Sequence, residues 1–157
     1  MDMTGTQPIA ASRAVVYRAL NDVEILRQCI PGCEEIEMHS DTEMQATVKV
    51  KVGVMKVTFK GAVTLSDLDP PNGYTISGEG SGGVAGFAKG SAKVVLEPDG
   101  EGTILNYEVR ADIGGKIAQL GAKLIDGTAK KLAAEFFTRL GKVVDRAQEL
   151  TPAAGNA

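Results

Sequence analysis

The sequence predicts an α+β fold in which a curved antiparallel sheet of about seven strands wraps around a long C-terminal helix. Two observations lead to this prediction. Residues 114–150 contain no proline, and their apolar side chains recur at helical spacing. Residues 34–113 instead alternate apolar and polar side chains, which is typical of an antiparallel sheet with one face in solvent. Because an amphipathic helix cannot bury its own apolar face, the sheet is the partner that it requires.

The elements before this sheet are short. Residues 3–10 predict an edge strand, a place where a proline without an N–H is tolerated. Ser12 is a suitable N-cap for a helix over residues 13–21, and Asp22 for a second short helix that Pro31 ends. Two short helices therefore follow the first strand.

The main body of the chain completes a helix-grip arrangement. Turn signals such as Gly82-Gly83 and Asp99-Gly100 divide residues 34–113 into about six strands. A helix over residues 114–150 would be roughly 50 Å long at about 1.5 Å per residue. We expect one domain over residues 1–150 and a disordered tail of small and polar residues after it, at 151–157.

Composition narrows the class of protein. The 157 residues are 43% hydrophobic and 24% charged with a net charge of −3, which is ordinary for a globular domain and too acidic to suggest a nucleic-acid partner. No apolar run has the length of a membrane span, and no secretory signal begins the chain. The sequence therefore predicts a cytoplasmic protein without a transmembrane segment.

The residue types that carry catalysis or bind metals are scarce. Cys29 and Cys33 are separated by three residues, and His39 is the single histidine. A structural zinc site normally needs four such ligands, so we interpret both cysteines as structural. No catalytic residue, metal site or cofactor is predicted.

The segment Gly78–Gly83, GEGSGG, satisfies the glycine pattern of dinucleotide-binding loops. That pattern must open a helix whose N-terminus receives the pyrophosphate, whereas the residues after it read as a hairpin and another strand. The context therefore rejects a nucleotide site. A flexible glycine-rich loop at the rim of a cavity could also serve as its gate.

The strand face that should meet the helix carries very small side chains. Around residues 74–80 this face ends in Gly78 and Gly80, and around residues 88–96 it begins with Ala88, Gly90 and Ala92. Because interiors are packed densely, either the helix backbone approaches closely and Phe side chains fill the gap, or the small residues line a ligand cavity. The residue pattern leaves both interpretations open.

The cavity interpretation predicts a set of lining residues. The first half of the helix would cover the space, and its second half, with Leu132, Phe136, Leu140 and Val143, would form ordinary core. The predicted lining residues are Phe59, Tyr74, Ile76, Gly78, Phe87, Ala88, Gly90, Ala92 and Tyr107 from the sheet, and Ile117, Leu120, Gly121, Leu124 and Thr128 from the helix.

A row of lysines lies on another side of the predicted helix. Lys116, Lys123 and Lys130 are seven residues apart. The simplest interpretation is a solvated helix face, and the alternative is a surface that docks on an acidic partner or on anionic lipid headgroups.

Four segments resemble the CoxG family of carbon monoxide dehydrogenase subunits, in the START/polyketide-cyclase-like superfamily of helix-grip proteins. They are CIPGCEEIE at 29–37, VKVKVGVMKVTFKG at 48–61, LDPPNGYTISGEGSGGVAGFAKGSAKV at 68–94 and GGKIAQLGAKLIDGTAKKLAAEFF at 114–137. The resemblance implies a deep hydrophobic cavity, no established catalytic residue, and an accessory role beside molybdenum-containing CO dehydrogenases and related hydroxylases. Some relatives tether their enzyme to the membrane and carry menaquinone, which implies a transient location at the inner membrane face.

Three functions are compatible with these observations. The first is a non-enzymatic protein that holds a lipophilic molecule, such as an isoprenoid quinone, and serves a molybdenum hydroxylase. The second is a cyclase or hydrolase that acts on an aromatic substrate in the same cavity, and the third is an assembly factor without a ligand. The scarcity of polar inward side chains beyond Tyr74, Tyr107 and Thr128 argues against the enzyme.

Overall fold

Seven strands form one antiparallel sheet in the computed structural model, which describes the backbone of residues 1–150 and the side chains of residues 1–145. In the sheet the strands follow the order β1-β7-β6-β5-β4-β3-β2, so that β1 and β2 are the edges. The predicted seven-stranded sheet and its N-terminal edge strand are confirmed. The strands are β1 (Asp2–Ile9), β2 (Cys33–Met38), β3 (Glu43–Val52), β4 (Met55–Asp69), β5 (Gly73–Ser81), β6 (Phe87–Asp99) and β7 (Gly102–Gly114).

Three α-helices accompany this sheet in the described residues: α1 (Arg13–Leu20), α2 (Val23–Cys29) and α3 (Ala122–Leu150). The Ser12 hydroxyl accepts a hydrogen bond from the Val15 N–H at 3.4 Å and caps α1. The Asp22 carboxylate accepts one from the Glu24 N–H at 2.9 Å and caps α2. Both caps were predicted from sequence, because these short side chains satisfy the free N–H groups of a first turn.

The long helix begins later than the sequence predicts. Strand β7 continues to Gly114, and a short 3-10 helix (Lys116–Leu120) precedes α3. Gly115 and Gly121 flank this turn with φ angles of +82° and +96°, in the left-handed region that favours glycine. The prediction of one continuous helix from Gly114 was therefore wrong for residues 114–121, because two glycines interrupt the helical backbone there.

The turns of the sheet lie at two ends. The proximal end, where α3 begins, contains the β3–β4 turn, the β5–β6 connection and the β7–α3 connection. The distal end contains the turns β2–β3, β4–β5 and β6–β7. The predicted disordered tail, residues 151–157, lies outside the described residues.

Two separate hydrophobic cores lie between the helices and the sheet. The larger core is near the distal end and unites α1, α2 and α3 with the sheet around Leu105 and Leu140. The smaller core is near the proximal end and consists of Val52, Val57 and Ile117 with their neighbours. A buried hydrogen bond of 2.7 Å from the Thr103 hydroxyl to the Ala11 carbonyl joins β7 to the segment before α1.

Candidate functional site

Small residues from neighbouring strands meet at one place on the concave face of the sheet. In the register of β5 and β6, Gly78 is opposite Gly90 and Gly80 is opposite Ala88. Strand β4 places Gly61 beside Gly80 on the other side. The small residues that the sequence spreads over three strands therefore form a single patch.

This patch is the floor of a cavity of about 340 Å³ that lies between the larger and the smaller core. At roughly 30 Å³ per water molecule the volume corresponds to about eleven waters. The inward side chains carry no charge and no hydroxyl. They belong to Ala46, Val48, Phe59, Gly61, Val63, Ile76, Gly78, Gly80, Ala88, Gly90, Ala92, Val109 and Ala111.

The glycines of the floor differ in how much space surrounds them. A Cβ atom at Gly78 or Gly80 would meet no other atom closer than 3.5 Å, so a methyl group fits there with ordinary contacts. A Cβ atom at Gly90 would lie 2.6 Å from the Arg110 carbonyl oxygen of the neighbouring strand, and one at Gly61 would collide with the Glu79 carbonyl. Close approach between strands thus explains two glycines, and the other two positions have room for a methyl group.

No residue of helix α3 lines this cavity. From Ala122 to Arg139 no residue of the helix is fully buried, whereas Leu140 and Val144 are 0% exposed. The rings of Phe136 and Phe137, at the margin of the larger core, meet edge to face with their centroids 5.3 Å apart. The helix is therefore only partly buried before Leu140, although Phe136 and Phe137 already pack against the larger core.

A second space, a groove of about 860 Å³, lies between the proximal half of α3 and the end of β3. Leu120, Leu124 and Leu132 give it an apolar side, and four lysines and one acidic residue surround it: Lys49, Lys51, Lys123, Lys131 and Glu135. The Lys49 ammonium is 3.3 Å from the Glu34 carboxylate, which neutralises one of these charges. The groove therefore combines apolar surface with a basic rim.

The fourteen predicted lining residues separate into two groups. Nine of them face one of the two spaces. Phe59, Ile76, Gly78, Ala88, Gly90 and Ala92 line the cavity, and Leu120, Leu124 and Thr128 line the groove. The Thr128 hydroxyl donates a hydrogen bond of 2.9 Å to the Leu124 carbonyl of its own helix, so it has no proton left for a ligand.

The other five predicted residues lie elsewhere. Tyr74 and Tyr107 belong to the larger core, Ile117 to the smaller one, and Gly121 forms the bend before α3. Phe87 is 48% exposed on the convex face, where its ring covers Gly114. The expectation that Phe87 forms a wall of the cavity is therefore wrong, because its position in β6 has the opposite parity to Ala88.

Sequence reasoning missed other residues of the cavity. Ala46 and Val48 from β3, Gly61 from β4, and Val109 and Ala111 from β7 complete its floor. Their alternation along each strand is visible in the sequence. Their proximity to Gly78 and Gly90 depends on strand order and register, which no local pattern supplies.

The titratable groups of the interior favour their neutral forms. Burial raises the pKa of the Tyr74 hydroxyl, and the nearby Tyr17, whose ring centroid is 5.8 Å away, raises it further. Burial also raises the pKa of the Cys29 and Cys33 thiols, which disfavours the reactive thiolates. Within the part of the chain that the structure describes, no cluster of three His, Cys, Asp or Glu side chains is placed to hold a metal ion. In the same residues, no helix has both the length and the hydrophobicity that crossing a membrane requires.

Comparisons with known proteins agree with this geometry. A family model that describes CoxG as a carbon monoxide dehydrogenase subunit matches residues 5–145. A crystal structure of a conserved protein from Geobacillus kaustophilus superposes with a TM-score of 0.89 at 28% identity, covering 94% of this chain and 97% of that one. No curated protein matches the sequence significantly.

More distant structures share the fold. A START superfamily protein from Mycobacterium smegmatis has a TM-score of 0.71 at 13% identity and covers 93% of this chain and 98% of its own. An aromatase/cyclase from a Streptomyces species has a TM-score of 0.64 at 15% identity, covering 93% of this chain and 94% of its own. These similarities confirm the predicted helix-grip fold.

Proposed function

The chain belongs to the CoxG family of carbon monoxide dehydrogenase subunits, and from this premise we propose that it is an accessory protein that carries a lipophilic molecule, an isoprenoid quinone or a similar compound. The observation that carries the proposal is the cavity of about 340 Å³ with its uncharged inward side chains. Apolar cavities of this kind favour an apolar occupant over water. The partner that receives the ligand would be a molybdenum hydroxylase related to CO dehydrogenase.

The surface that the cavity offers is large enough for useful affinity. Burying roughly 400 Å² of an isoprenoid chain at about 25 cal/mol per Å² contributes at most about 10 kcal/mol before the cost of association. Association costs at least about 4 kcal/mol, so at most about 6 kcal/mol remains, which corresponds to a Kd of roughly tens of micromolar. A carrier has to release its ligand, so an affinity in this range suits the role.

An enzymatic role finds less support in the same geometry. Acid–base catalysis needs a titratable group within hydrogen-bond reach of the substrate. Tyr74 is only 6% exposed in the larger core, and the Tyr107 ring stacks on Phe137 with a centroid distance of 5.4 Å. Neither lines the cavity. In the described residues, neither tyrosine is therefore placed to act on a substrate in the cavity, as the cyclase or hydrolase hypothesis requires.

The test has two parts. The first identifies the molecule bound to the protein, and the second blocks the cavity by a substitution. Solvent extraction and native mass spectrometry of the purified protein should detect an isoprenoid lipid, and the ligand-free protein should take up a short-chain quinone in equilibrium dialysis. Gly78→Leu should reduce uptake at least tenfold, since a side chain at this position enters open space. Ser77→Leu, on the adjacent residue and the opposite face of β5, is the matched control and should retain uptake.

Two outcomes would contradict the proposal. The first is a purified protein that contains no lipid and takes up no quinone. The second is equal uptake by wild type, Gly78→Leu and Ser77→Leu, which would locate binding outside the cavity. Co-purification with a molybdenum hydroxylase by a protein that never contains a ligand would favour the assembly-factor hypothesis instead.

A further inference from the structure

We propose that the groove between β3 and α3 binds an extended peptide segment in which apolar and acidic residues alternate. The segment lies along the free edge of β3 and extends the sheet by one short strand. The residues that carry this inference line the groove and not the cavity. The peptide site is therefore independent of any ligand that the cavity holds.

The last residues of β3 have no neighbouring strand on one side. The pairing of β2 with β3 ends where Cys33 lies opposite Val48. One further hydrogen bond of 2.9 Å joins the Lys49 N–H to the Gly32 carbonyl. Gly32 has a φ angle of +76°, at which the chain coming from α2 turns into β2. Beyond Lys49, β3 is therefore an edge of the sheet.

The backbone of Lys51 faces this open side. Along a strand, the N–H and C=O groups of successive residues point to alternate sides. The Glu43 carbonyl accepts a hydrogen bond of 2.8 Å from the His39 N–H, and the Lys49 N–H bonds the Gly32 carbonyl, so the odd-numbered residues of β3 point away from β4. Lys51 is the next residue of this series, and β2 has no residue opposite it. Its N–H and C=O groups are thus available to an added strand.

The two faces of β3 differ in chemistry at this edge. Val50 lies on the face that meets the helix, where Leu124 and Leu132 line the groove. Lys49 and Lys51 are exposed on the opposite, convex face. Side chains directly opposite each other on neighbouring strands share a face. An added strand therefore places every second residue beside the leucines and the residues between them beside the lysines.

The charges of the groove favour acidic residues in that strand. Lys49 already pairs with Glu34 at 3.3 Å, and Glu135 is the acidic residue among those that line the groove. Three further lysines of the groove are exposed and form no salt bridge within the described residues: Lys51, Lys123 and Lys131. Lysines on an edge oppose pairing with neutral or basic strands, so they select an acidic one.

The groove has the length of a short strand. Helix α3 borders it from Lys123 to Glu135, which is about 18 Å at about 1.5 Å per residue. At about 3.3 Å per residue, roughly five or six residues of strand cover this distance. The groove ends at the β3–β4 turn, where a Cβ atom at Gly53 would lie 2.9 Å from Leu124 Cδ2. The site therefore fits a segment of about six residues.

The first experiment measures the fluorescence anisotropy of a fluorescein-labelled peptide that alternates valine and glutamate. About eight residues span the groove with one residue to spare at each end. Two peptides are controls, one with all its valines before all its glutamates and one that alternates valine and lysine. Both should bind the wild-type protein roughly tenfold more weakly than the alternating acidic peptide, or not at all.

The second experiment tests whether the bound peptide is a strand. The Lys51 amide proton should exchange with solvent at least about tenfold more slowly when the alternating acidic peptide saturates the protein, because its N–H then donates to the peptide. The Val54 amide, in the β3–β4 turn, is the control and should be unchanged. Methylation of the backbone nitrogens of the two central peptide residues removes donors of the added strand and should weaken binding strongly.

The third experiment uses substitutions at exposed side chains. Lys51→Glu should weaken binding of the acidic peptide by about fivefold or more and strengthen binding of the valine–lysine peptide, since it reverses the charge of a cross-strand pair. Lys93→Glu, on the convex face of β6, makes the same change in net charge and should alter affinity by less than about twofold. Leu124→Gln should also weaken binding, whereas Leu68→Gln, at a 48% exposed leucine near the distal end, should not.

Three results would overturn the inference. They are the absence of binding by the alternating acidic peptide, equal binding of all three peptides, and binding that leaves the Lys51 amide unprotected. The last result would mean that the peptide occupies the groove as a helix or binds elsewhere. Quinone uptake is measured separately, and Lys51→Glu should leave it unchanged, so failure of the peptide site and failure of the carrier role are distinguishable.

Discussion

The two halves of α3 share one helix but play different structural parts. Its distal half inserts Leu140 and Val144 into the larger core, where both are fully buried. Its proximal half, from Ala122 to Arg139, buries no residue completely and lines the groove beside β3. The comparison shows that the helix is anchored by its distal half, whereas its proximal half leaves a groove beside it.

The largest expected effect is a difference in stability between two leucines of the same helix. Leu140→Ala should reduce the free energy of unfolding by about 2–5 kcal/mol, because it leaves a cavity in a closed core. Leu124→Ala, at a residue that is 39% exposed, should cost less than about 1 kcal/mol. Urea denaturation of both variants measures the contrast. Equal losses would mean that the proximal half is packed like the distal half.

A smaller effect is expected where the distal core is joined to the N-terminal segment. Thr103→Val removes the hydroxyl that bonds the Ala11 carbonyl and leaves that carbonyl buried without a partner. The expected loss is about 1–3 kcal/mol in urea denaturation. Thr6→Val, which breaks an exposed hydrogen bond to Asn106, is the control and should cost under about 0.5 kcal/mol. A similar loss in both variants would argue against a special role for the buried bond.

The floor itself offers a matched pair of glycines. Gly90→Ala should destabilise the protein by about 1–3 kcal/mol, because its methyl group would press on the backbone of β7. Gly78→Ala should be neutral or stabilise by about 0.5 kcal/mol, since there is room for the methyl group and the unfolded chain loses freedom. Thermal or urea unfolding of the two variants decides the matter. Equal destabilisation would show that the volume above Gly78 is not open.

The smallest expected effect concerns pH and the distal core. Burial raises the pKa of Tyr74, so the folded protein keeps the phenolic proton while the unfolded chain releases it above about pH 10. The unfolded state then binds fewer protons, and stability falls as pH rises, by at most about 1.4 kcal/mol per pH unit for this group.

Substitution identifies the group responsible. Urea midpoints between about pH 9 and 11 should fall less steeply for Tyr74→Phe than for the wild type. Tyr107→Phe leaves Tyr74 in place and should keep the steeper fall. Identical slopes in all three proteins would assign the alkaline loss to other groups.

Local signals explain why much of the architecture could be predicted. Ser12 and Asp22 fix the starts of α1 and α2 through their own side chains, and the alternation along β5 and β6 identifies the residues of the concave face. Such features depend on a few neighbouring residues. The floor at Gly78, Ala88 and Ala92 was found in this way.

The errors arose where distant residues decide the outcome. Ile117 and Leu120 have helical spacing, but the left-handed backbone at Gly115 and Gly121 is set by the contact with Gly86 and by the path into α3. An aromatic side chain at position 87 suggested a cavity wall by its size, whereas the parity of its strand decides its side. The glycine pattern also could not distinguish the two kinds of position. A side chain would fit at Gly78, whereas at Gly90 the neighbouring strand is too close for one.

The pairing of β1 with β7 has a consequence for biosynthesis. Thr6 lies beside Asn106, 100 residues later in the chain, so β1 leaves the ribosome well before the strand that pairs with it. Until β7 has emerged, β1 has no hydrogen-bonding partner and the sheet keeps an open edge on that side. Closure over so many residues is slow compared with forming a hairpin. The nascent chain therefore passes through a period in which β2 to β6 can pair with one another while β1 has no partner strand.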